Sequence, residues 1–323
     1  MAALPEDIGQ LTKLQELDLS DCGSLTALPE SVSNLKALQH LQLSECTKLA
    51  ALPTSLCELT ELLVLNLLRC DALVALPKDL GQLTTLQKLN CWECSSLLAL
   101  PNSVGKLKAL QHLSLYKCAR LTELQEGGSQ PQSTFGPTEL LLLDMRGCSA
   151  LEALPEALGQ LVKLEELDLK GCSSLATLPE SIGQLTALTQ LNLCNCAQLS
   201  TLPATFGGLK ALRELDLAGC KTLAALPESS AQLTALEALD LRRCSLLMEP
   251  LPKDMWSPQR KIAHVLALQR RRPAILKLAT QQETMLTTLE RMSWLAVLLA
   301  TATFIAFMQP PGSLENDQVL VTD

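Results

Sequence analysis

The stretch LPESIGQLTALTQLNLCNCAQLST, residues 178–201, contains the features that most of the chain repeats. Leucines recur along it, and Cys196 lies three residues after the phrase LNL. Cysteines at this position follow one another at steps of 24 residues, with a single step of 30. They are Cys22, Cys46, Cys70, Cys94, Cys118, Cys148, Cys172, Cys196, Cys220 and Cys244. A fixed period of this size is typical of a solenoid, in which each coil buries its apolar side chains against its neighbours.

The pattern within each period, L-P-x-x-L-G-x-L-x-x-L-x-x-L-x-L-x-x-C-x-x-L, resembles the leucine-rich repeat, whose closing position accepts cysteine. Ten such repeats, each of about 24 residues, cover residues 4–249, with an insertion near residues 126–137 that is rich in Gly, Pro, Ser and Gln. The resemblance implies an α/β repeat fold. We expect a leucine-rich-repeat solenoid with a parallel concave β-sheet and short helical or 3-10 convex turns, followed by C-terminal helices.

The repeated cysteines are predicted to be structural. The leucine alternation indicates a short strand, and the cysteine follows where the chain leaves it. A small side chain with a weak S–H donor fits there, beside carbonyls of the adjoining coil. The sulfurs form one row and the three histidines match no zinc spacing, so we predict no metal, and the C-x-x-C at Cys91–Cys94 is not read as a redox motif. The sequence shows no secretion signal, so we expect free, inaccessible thiols in a reducing compartment, with the outward-facing Cys194 as the reactive one.

Charge is unevenly distributed along the chain. The net charge is −8, and only 2% of the residues are aromatic. Residues 1–256 carry the acidic excess, whereas residues 257–293 hold seven basic and two acidic residues. An acidic solenoid argues against a nucleic-acid surface, which would show a basic stripe. The first repeat begins without a polar cap, so we expect another domain or subunit to cover this end, or the chain to be part of a longer one.

One row of outward-facing residues predicts a recognition surface. The residues that follow the second core leucine of successive strands lie side by side on the predicted concave face. In the middle of this row are Leu68, Trp92, Tyr116, Arg146 and Lys170. Tyr116 is the only tyrosine of the chain, and Trp, Tyr and Arg dominate interface hot spots. We predict that a protein partner binds here, the alternative being that the two rings merely stack on each other.

A second outward row, between the two core leucines, is mainly Asp and Asn. It includes Asp144, Asp168, Asp216 and Asp240. Paired carboxylates can carry out acid–base chemistry, but catalysis needs a cleft and a perturbed pair, whereas these lie on an open ladder. No phosphate loop, nucleophile elbow or kinase motif occurs in the sequence. We therefore predict no catalytic residue, no cofactor and no small-molecule substrate, and a hydrolase that uses the Asp row is the least favoured class.

The C-terminal segments differ in composition from the repeats. Residues 257–291 are predicted to form a basic, amphipathic helical linker, residues 293–308 a transmembrane helix, and residues 309–323 a short acidic tail. The uncharged stretch rises only about 22 Å against a hydrocarbon core of about 30 Å, so a buried cap helix is the alternative. The segment LLATATFIAFMQPPGS, residues 298–313, resembles the first membrane helix of the PGG domain of plant membrane proteins. Basic residues before the span predict that the repeats face the cytosol.

The phrases LPESIGQL and LDLxxC resemble the leucine-rich region of plant intracellular disease-resistance (NLR-type) proteins. The nucleotide-binding and signalling domains of those proteins do not appear in this sequence, so the resemblance implies partner sensing without nucleotide hydrolysis. We expect a membrane-tethered, cytosol-facing protein-recognition solenoid in defence or signalling, with a single pass near the C-terminus. The alternative is the soluble, cytoplasmic recognition end of a larger receptor, with the C-terminal helices acting as a cap.

Overall fold

A single parallel sheet runs through all ten repeats. The structure, a computed structural model, describes residues 3–124, 138–247 and 257–270. The strands pair in the order in which they occur along the chain and stay in register throughout. They are β1 (Glu16–Asp18), β2 (His40–Gln42), β3 (Val64–Asn66), β4 (Lys88–Asn90), β5 (His112–Ser114), β6 (Leu142–Asp144), β7 (Glu166–Asp168), β8 (Gln190–Asn192), β9 (Glu214–Asp216) and β10 (Ala238–Asp240). The predicted solenoid with a parallel sheet is confirmed.

The insertion leaves the sheet uninterrupted. Strand β6 pairs with β5 in the same register as every other neighbour, His112 opposite Leu142 and Leu113 opposite Leu143. Residues 125–137, which hold the insertion, lie outside the described residues. The central residue of each strand is a buried leucine, so a shift by one residue would expose the whole leucine row. This burial pattern fixes the register.

Short 3-10 turns form the opposite side of nine coils within the described ranges, as predicted. Most of them begin directly after a proline, whose fixed φ suits a helical start. In the quoted repeat, Pro179 has φ −67°, and the turn ends at Leu185, whose N–H donates to Ile182 O. The described turns are Glu6–Gln10, Glu30–Asn34, Thr54–Glu58, Leu80–Gln82, Asn102–Lys106, Glu156–Gln160, Glu180–Gln184, Ala204–Gly208 and Glu228–Gln232.

A continuous column of leucines fills the space between the sheet and the turns. In the quoted repeat, Ile182, Leu185, Leu188 and Leu193 are fully buried. Each such side chain contributes about 1.5–3 kcal/mol by leaving water. Branched aliphatic side chains at matching positions of successive coils interdigitate, which is why a chain with so few aromatic residues still has a core.

The ladder cysteines bond the coils to one another. In nine of the ten repeats the cysteine Sγ donates to a backbone carbonyl of the preceding coil at 3.0–3.3 Å. These nine are buried, and all thirteen cysteines are free thiols. The expectation of ten equally inaccessible thiols is wrong at Cys22, which is half-buried. Cys22 is more accessible because a neighbouring coil covers the first repeat on one side only.

Helix α1, residues 258–270, follows the last repeat. Its apolar residues Ile262, Val265 and Leu266 are buried in the same core as the leucine column. Gln259 Nε2 donates to Leu236 O at 2.8 Å, and Lys261 Nζ donates to Leu239 O in β10 at 3.1 Å. The start of the predicted basic linker therefore covers the last coil and provides donors to its carbonyls.

The predicted span, residues 293–308, and the acidic tail, residues 309–323, lie outside the described residues. Within the described ranges, no helix has both the length and the apolar character needed to cross a bilayer.

Candidate protein-recognition surface

The side of the sheet that faces solvent, called here the open face, carries the predicted recognition row. Leu68, Trp92, Tyr116, Arg146 and Lys170 each follow a strand, β3 to β7, by two residues. Leu68, Tyr116 and Arg146 are half-buried, whereas Trp92 and Lys170 are exposed. Trp92 is 38% exposed, a large value for a ring of this size. The five strands are consecutive in the sheet, so the two rings are neighbours, with Leu68 on one side and Arg146 and then Lys170 on the other.

The two aromatic rings contact each other edge to face. The ring centroids of Trp92 and Tyr116 are 4.7 Å apart, and their planes meet at 64°. Such a pair is worth about 0.5–1.5 kcal/mol beyond the area that it buries. The two rings therefore do stack on each other across the ladder. This contact still leaves much of the Trp92 ring open to solvent.

Two cations lie against the ring of Tyr116. Lys117 Nζ is 5.1 Å from the ring centroid, and Arg146 Cζ is 4.9 Å from it. Both distances fall within the range of a cation–π contact. Sequence reasoning singled out Arg146 but not Lys117, because Lys117 follows the outward row and precedes the ladder cysteine. The signal that would have found it is a charged residue before the cysteine in each of the first five repeats.

Arg146 is held in place by two carboxylates. Its Nε donates to Asp144 Oδ1 at 2.9 Å and its Nη2 to Asp144 Oδ2 at 2.7 Å. Asp168 Oδ2 lies 3.7 Å from the same Nε. The hydrogen bond to Asp144 raises the pKa of Arg146 above its usual range, and burial raises the pKa of Asp168. A fixed guanidinium loses little conformational entropy when a partner binds.

The carboxylates and amides of the middle row have a structural role. In eight repeats the side-chain oxygen accepts the backbone N–H of the residue two positions later, at 2.8–3.2 Å. These residues are Asp18, Asn66, Asn90, Asp144, Asp168, Asn192, Asp216 and Asp240. This bond turns the chain out of the strand. The same row links Asn90 to Asn66 at 3.0 Å and Asn66 to Gln42 at 2.8 Å.

The described residues bring no metal-binding group together. Across the described ranges, no cluster of three or more His, Cys, Asp or Glu side chains is arranged to hold an ion. Cys91 and Cys94, the C-x-x-C pair, are both buried inside the column. Cys194, on the outward row, is half-buried, and burial raises the pKa of its thiol.

Comparison with known proteins gives the same fold. The leucine-rich repeat domain of the type III effector XopL is 28% identical, with a TM-score of 0.56, over 72% of this chain and 79% of that one. A leucine-rich repeat protein of Leptospira interrogans is 26% identical, with a TM-score of 0.43, over 75% and 81%. The plant peptide hormone receptor RGFR1, in complex with RGF2, is 23% identical, with a TM-score of 0.38, over 74% and 49%. Among curated proteins, none matches this chain significantly.

The repeats also match a family model, described as "Leucine-rich repeat region", over residues 1–135 and 138–244. The matched residues are the coils that form the ten-stranded sheet, the proline-led turns and the cysteine ladder. This chain belongs to the leucine-rich repeat family.

Proposed function

We propose that this chain is a non-enzymatic protein-recognition solenoid whose open face binds a protein partner around Trp92 and Tyr116. The observation that supports the proposal most strongly is the exposed edge-to-face ring pair with two cations against Tyr116. Trp, Tyr and Arg are the residue types that dominate binding hot spots. Leu68, Arg146 and Lys170 extend the same surface along the sheet.

The chemistry of the surface favours a partner with an exposed apolar side chain. The Trp92 ring and Leu68 offer apolar area, and Arg146 is already paired with Asp144, so a further charge gains little there. Desolvating an apolar anchor against a rigid ring is the usual source of binding energy at such sites. Polar residues of the neighbouring strands would form the rim.

The double variant Trp92→Ala/Tyr116→Ala tests this proposal. Neither ring lies in the leucine column, so we expect the melting temperature to fall by no more than about 5 °C. Truncating a hot-spot aromatic costs about 2 kcal/mol or more, which is roughly a 30-fold weaker complex. Quantitative pull-downs from native extract should show partners that the double variant loses.

The matched control is Gln190→Ala/Glu214→Ala, on the first residues of β8 and β9 of the same face. It should retain the partners that the double variant loses. Equal partner sets for all three proteins, at equal stability, would place the binding surface elsewhere. A large drop in the melting temperature of the double variant would show that the two rings stabilise the fold.

We further propose that residues 293–308 tether the repeats to a membrane from the cytosolic side, in a defence or signalling role. The support is the uncharged sequence of this segment, its resemblance to the PGG helix, and the basic residues that precede it. Fractionation with an alkaline carbonate wash tests the tether. A chain that leaves the membrane fraction in carbonate contradicts it.

The second candidate is the soluble, cytoplasmic recognition end of a larger plant resistance-type receptor. The observation in its favour is α1, which covers the last coil with Ile262, Val265 and Leu266. C-terminal helices of a solenoid can act as a cap, so the segment after the repeats need not be an anchor. The carbonate wash separates the two candidates.

A further inference from the structure

One residue in every repeat has a left-handed backbone. It is the residue before the ladder cysteine, and φ ranges from 54° to 78° over the ten repeats. In nine repeats its N–H donates to a carbonyl of the next coil, as Glu93 N does to Tyr116 O at 2.6 Å. Arg243, which follows the last strand of the described sheet, has the same geometry, with φ 62°. The geometry follows from the turn that the N–H of each ladder cysteine closes with the carbonyl three residues earlier, which places a positive φ at the third residue of the turn.

Glycine adopts this conformation without strain, and it occupies the position at Gly147, Gly171 and Gly219. The other seven repeats have a residue with a side chain at this position, and the first five repeats all belong to this group. These residues are Asp21, Glu45, Arg69, Glu93, Lys117, Asn195 and Arg243. Asp and Asn tolerate a positive φ, but Glu, Arg and Lys are strained there. Strain that is maintained repeat after repeat is often associated with function.

Pairing among these side chains does not by itself account for the strain. Glu45, Arg69, Glu93 and Lys117 form an alternating row, with nitrogen–oxygen distances of 3.2, 3.6 and 2.9 Å between neighbours. Each of the four side chains is 31–54% exposed. Ion pairs in water are weak, so a glycine in place of the charge would cost the fold little.

The same side chains contact the recognition rings. Lys117 lies 5.1 Å from the ring centroid of Tyr116 and 2.9 Å from Glu93 Oε1. The hydrogen bond from Lys117 lowers the pKa of Glu93. Glu93 therefore holds Lys117 against the ring of Tyr116, and that ring lies edge to face against the ring of Trp92.

We infer that Glu93 and Lys117 are positioning residues, which occupy strained positions because their side chains fix the orientation of the Trp92 and Tyr116 rings before a partner binds. Rings that are already ordered lose less entropy on binding. The alternating charged row therefore adds affinity and specificity, although its side chains lie outside the leucine column. This inference rests on the proposed function of the open face.

Fluorescence of the full chain tests the inference without a partner. Trp256→Phe and Trp294→Phe leave Trp92 as the only indole. In this background, Glu93→Gly should add a sub-nanosecond component to the anisotropy decay of Trp92, because the ring becomes free to change rotamer. The conservative variant Glu93→Gln keeps a carbonyl acceptor for Lys117 Nζ, and it should retain the slow decay.

The matched control is Glu45→Gly, which relieves the same backbone strain two repeats away from the Trp92 ring. Its melting temperature should agree with that of Glu93→Gly within about 3 °C, and its Trp92 decay should be unchanged. An unchanged decay in Glu93→Gly overturns the inference. So does a Glu93→Gly melting temperature far below that of Glu45→Gly, which would make the row structural. The anisotropy decay and the melting temperature are both measured on the protein without a partner. They therefore test the inference even if the rings prove not to form the partner-binding surface.

Discussion

At the scale of single residues, burial sets the chemistry of the ladder thiols. It raises the pKa of Cys172 to about 12 and that of Cys244 to about 11. Burial likewise raises the pKa of Cys148, Cys196 and Cys220. The thiolate is the nucleophile and the metal ligand, so a buried thiol that keeps its proton is inert toward both reactions. The same property makes the fold sensitive to alkaline pH.

We expect stability to fall steeply as pH rises above about 8.5, where thiols of the unfolded chain begin to ionise. The folded Cys172 keeps its proton up to about 12. Across this window the unfolded state binds fewer protons, so each such thiol lowers the free energy of unfolding by about 1.4 kcal/mol per pH unit. The contribution of the buried thiol to the free energy of unfolding is fully present below about pH 8.5.

Urea unfolding at a series of pH values in reducing buffer measures this slope. The variant Cys172→Ala should reduce the slope of the free energy of unfolding against pH by the equivalent of about one proton. A free energy of unfolding that stays constant up to about pH 10 would contradict the prediction.

At the scale of elements, six of the nine described turns have a glycine at the fourth position after the proline. A Cβ on Gly81 would lie 2.1 Å from Ser103 O, and one on Gly183 would lie 2.3 Å from Thr205 O. Both contacts are with backbone of the next coil, which cannot move aside without shifting the sheet. At Gly81 and Gly183 the absence of a Cβ therefore allows the turn to approach the next coil closely.

Gly81→Ala should lower the free energy of unfolding by about 1–3 kcal/mol, because the added methyl group forces neighbouring coils apart. The matched control is Gly23→Ala, whose Cβ would lie 3.5 Å from Thr47 Oγ1, an ordinary contact. We expect the control to change stability by less than about 1 kcal/mol. Denaturant unfolding of both variants is the measurement, and equal effects would mean that the turns have room to adjust.

At the scale of the whole molecule, the repeats and α1 form one folded unit that ends before the predicted span. The side chains that cover the last coil are Ile262, Val265 and Leu266, all N-terminal to residue 293. Each coil of a solenoid depends on its nearest neighbours only, so the stability of the repeats does not require distant segments.

Deleting residues 293–323 should therefore release a soluble solenoid with its cooperative unfolding preserved. Circular dichroism and a melting curve of the truncated chain check this outcome, alongside its distribution between membrane and soluble fractions. The matched control deletes only residues 309–323 and should stay in the membrane fraction. A truncated chain that unfolds or aggregates would show that residues 293–308 pack against the repeats as part of the cap.

The structure of the single coil follows from the sequence alone. Its 24-residue period, the buried leucine at the centre of each strand, and the proline before most turns all act within one repeat or between identical neighbours. The exposure of Trp92 and the burial of the cysteines followed from the same alternation. Cys22 departed from it because the end of a stack has a neighbour on one side only.

The arrangement of the side chains on the open face depends on contacts between repeats, which the sequence pattern does not reveal. That Asp144 and Asp168 hold Arg146, that Lys117 lies against Tyr116, and that Glu93 lies between Arg69 and Lys117 depends on side-chain directions in different repeats. The period places these residues on neighbouring rungs but does not fix their rotamers. The left-handed backbone is likewise not evident from a sequence with Glu or Lys at that position, because these residues rarely adopt a positive φ elsewhere.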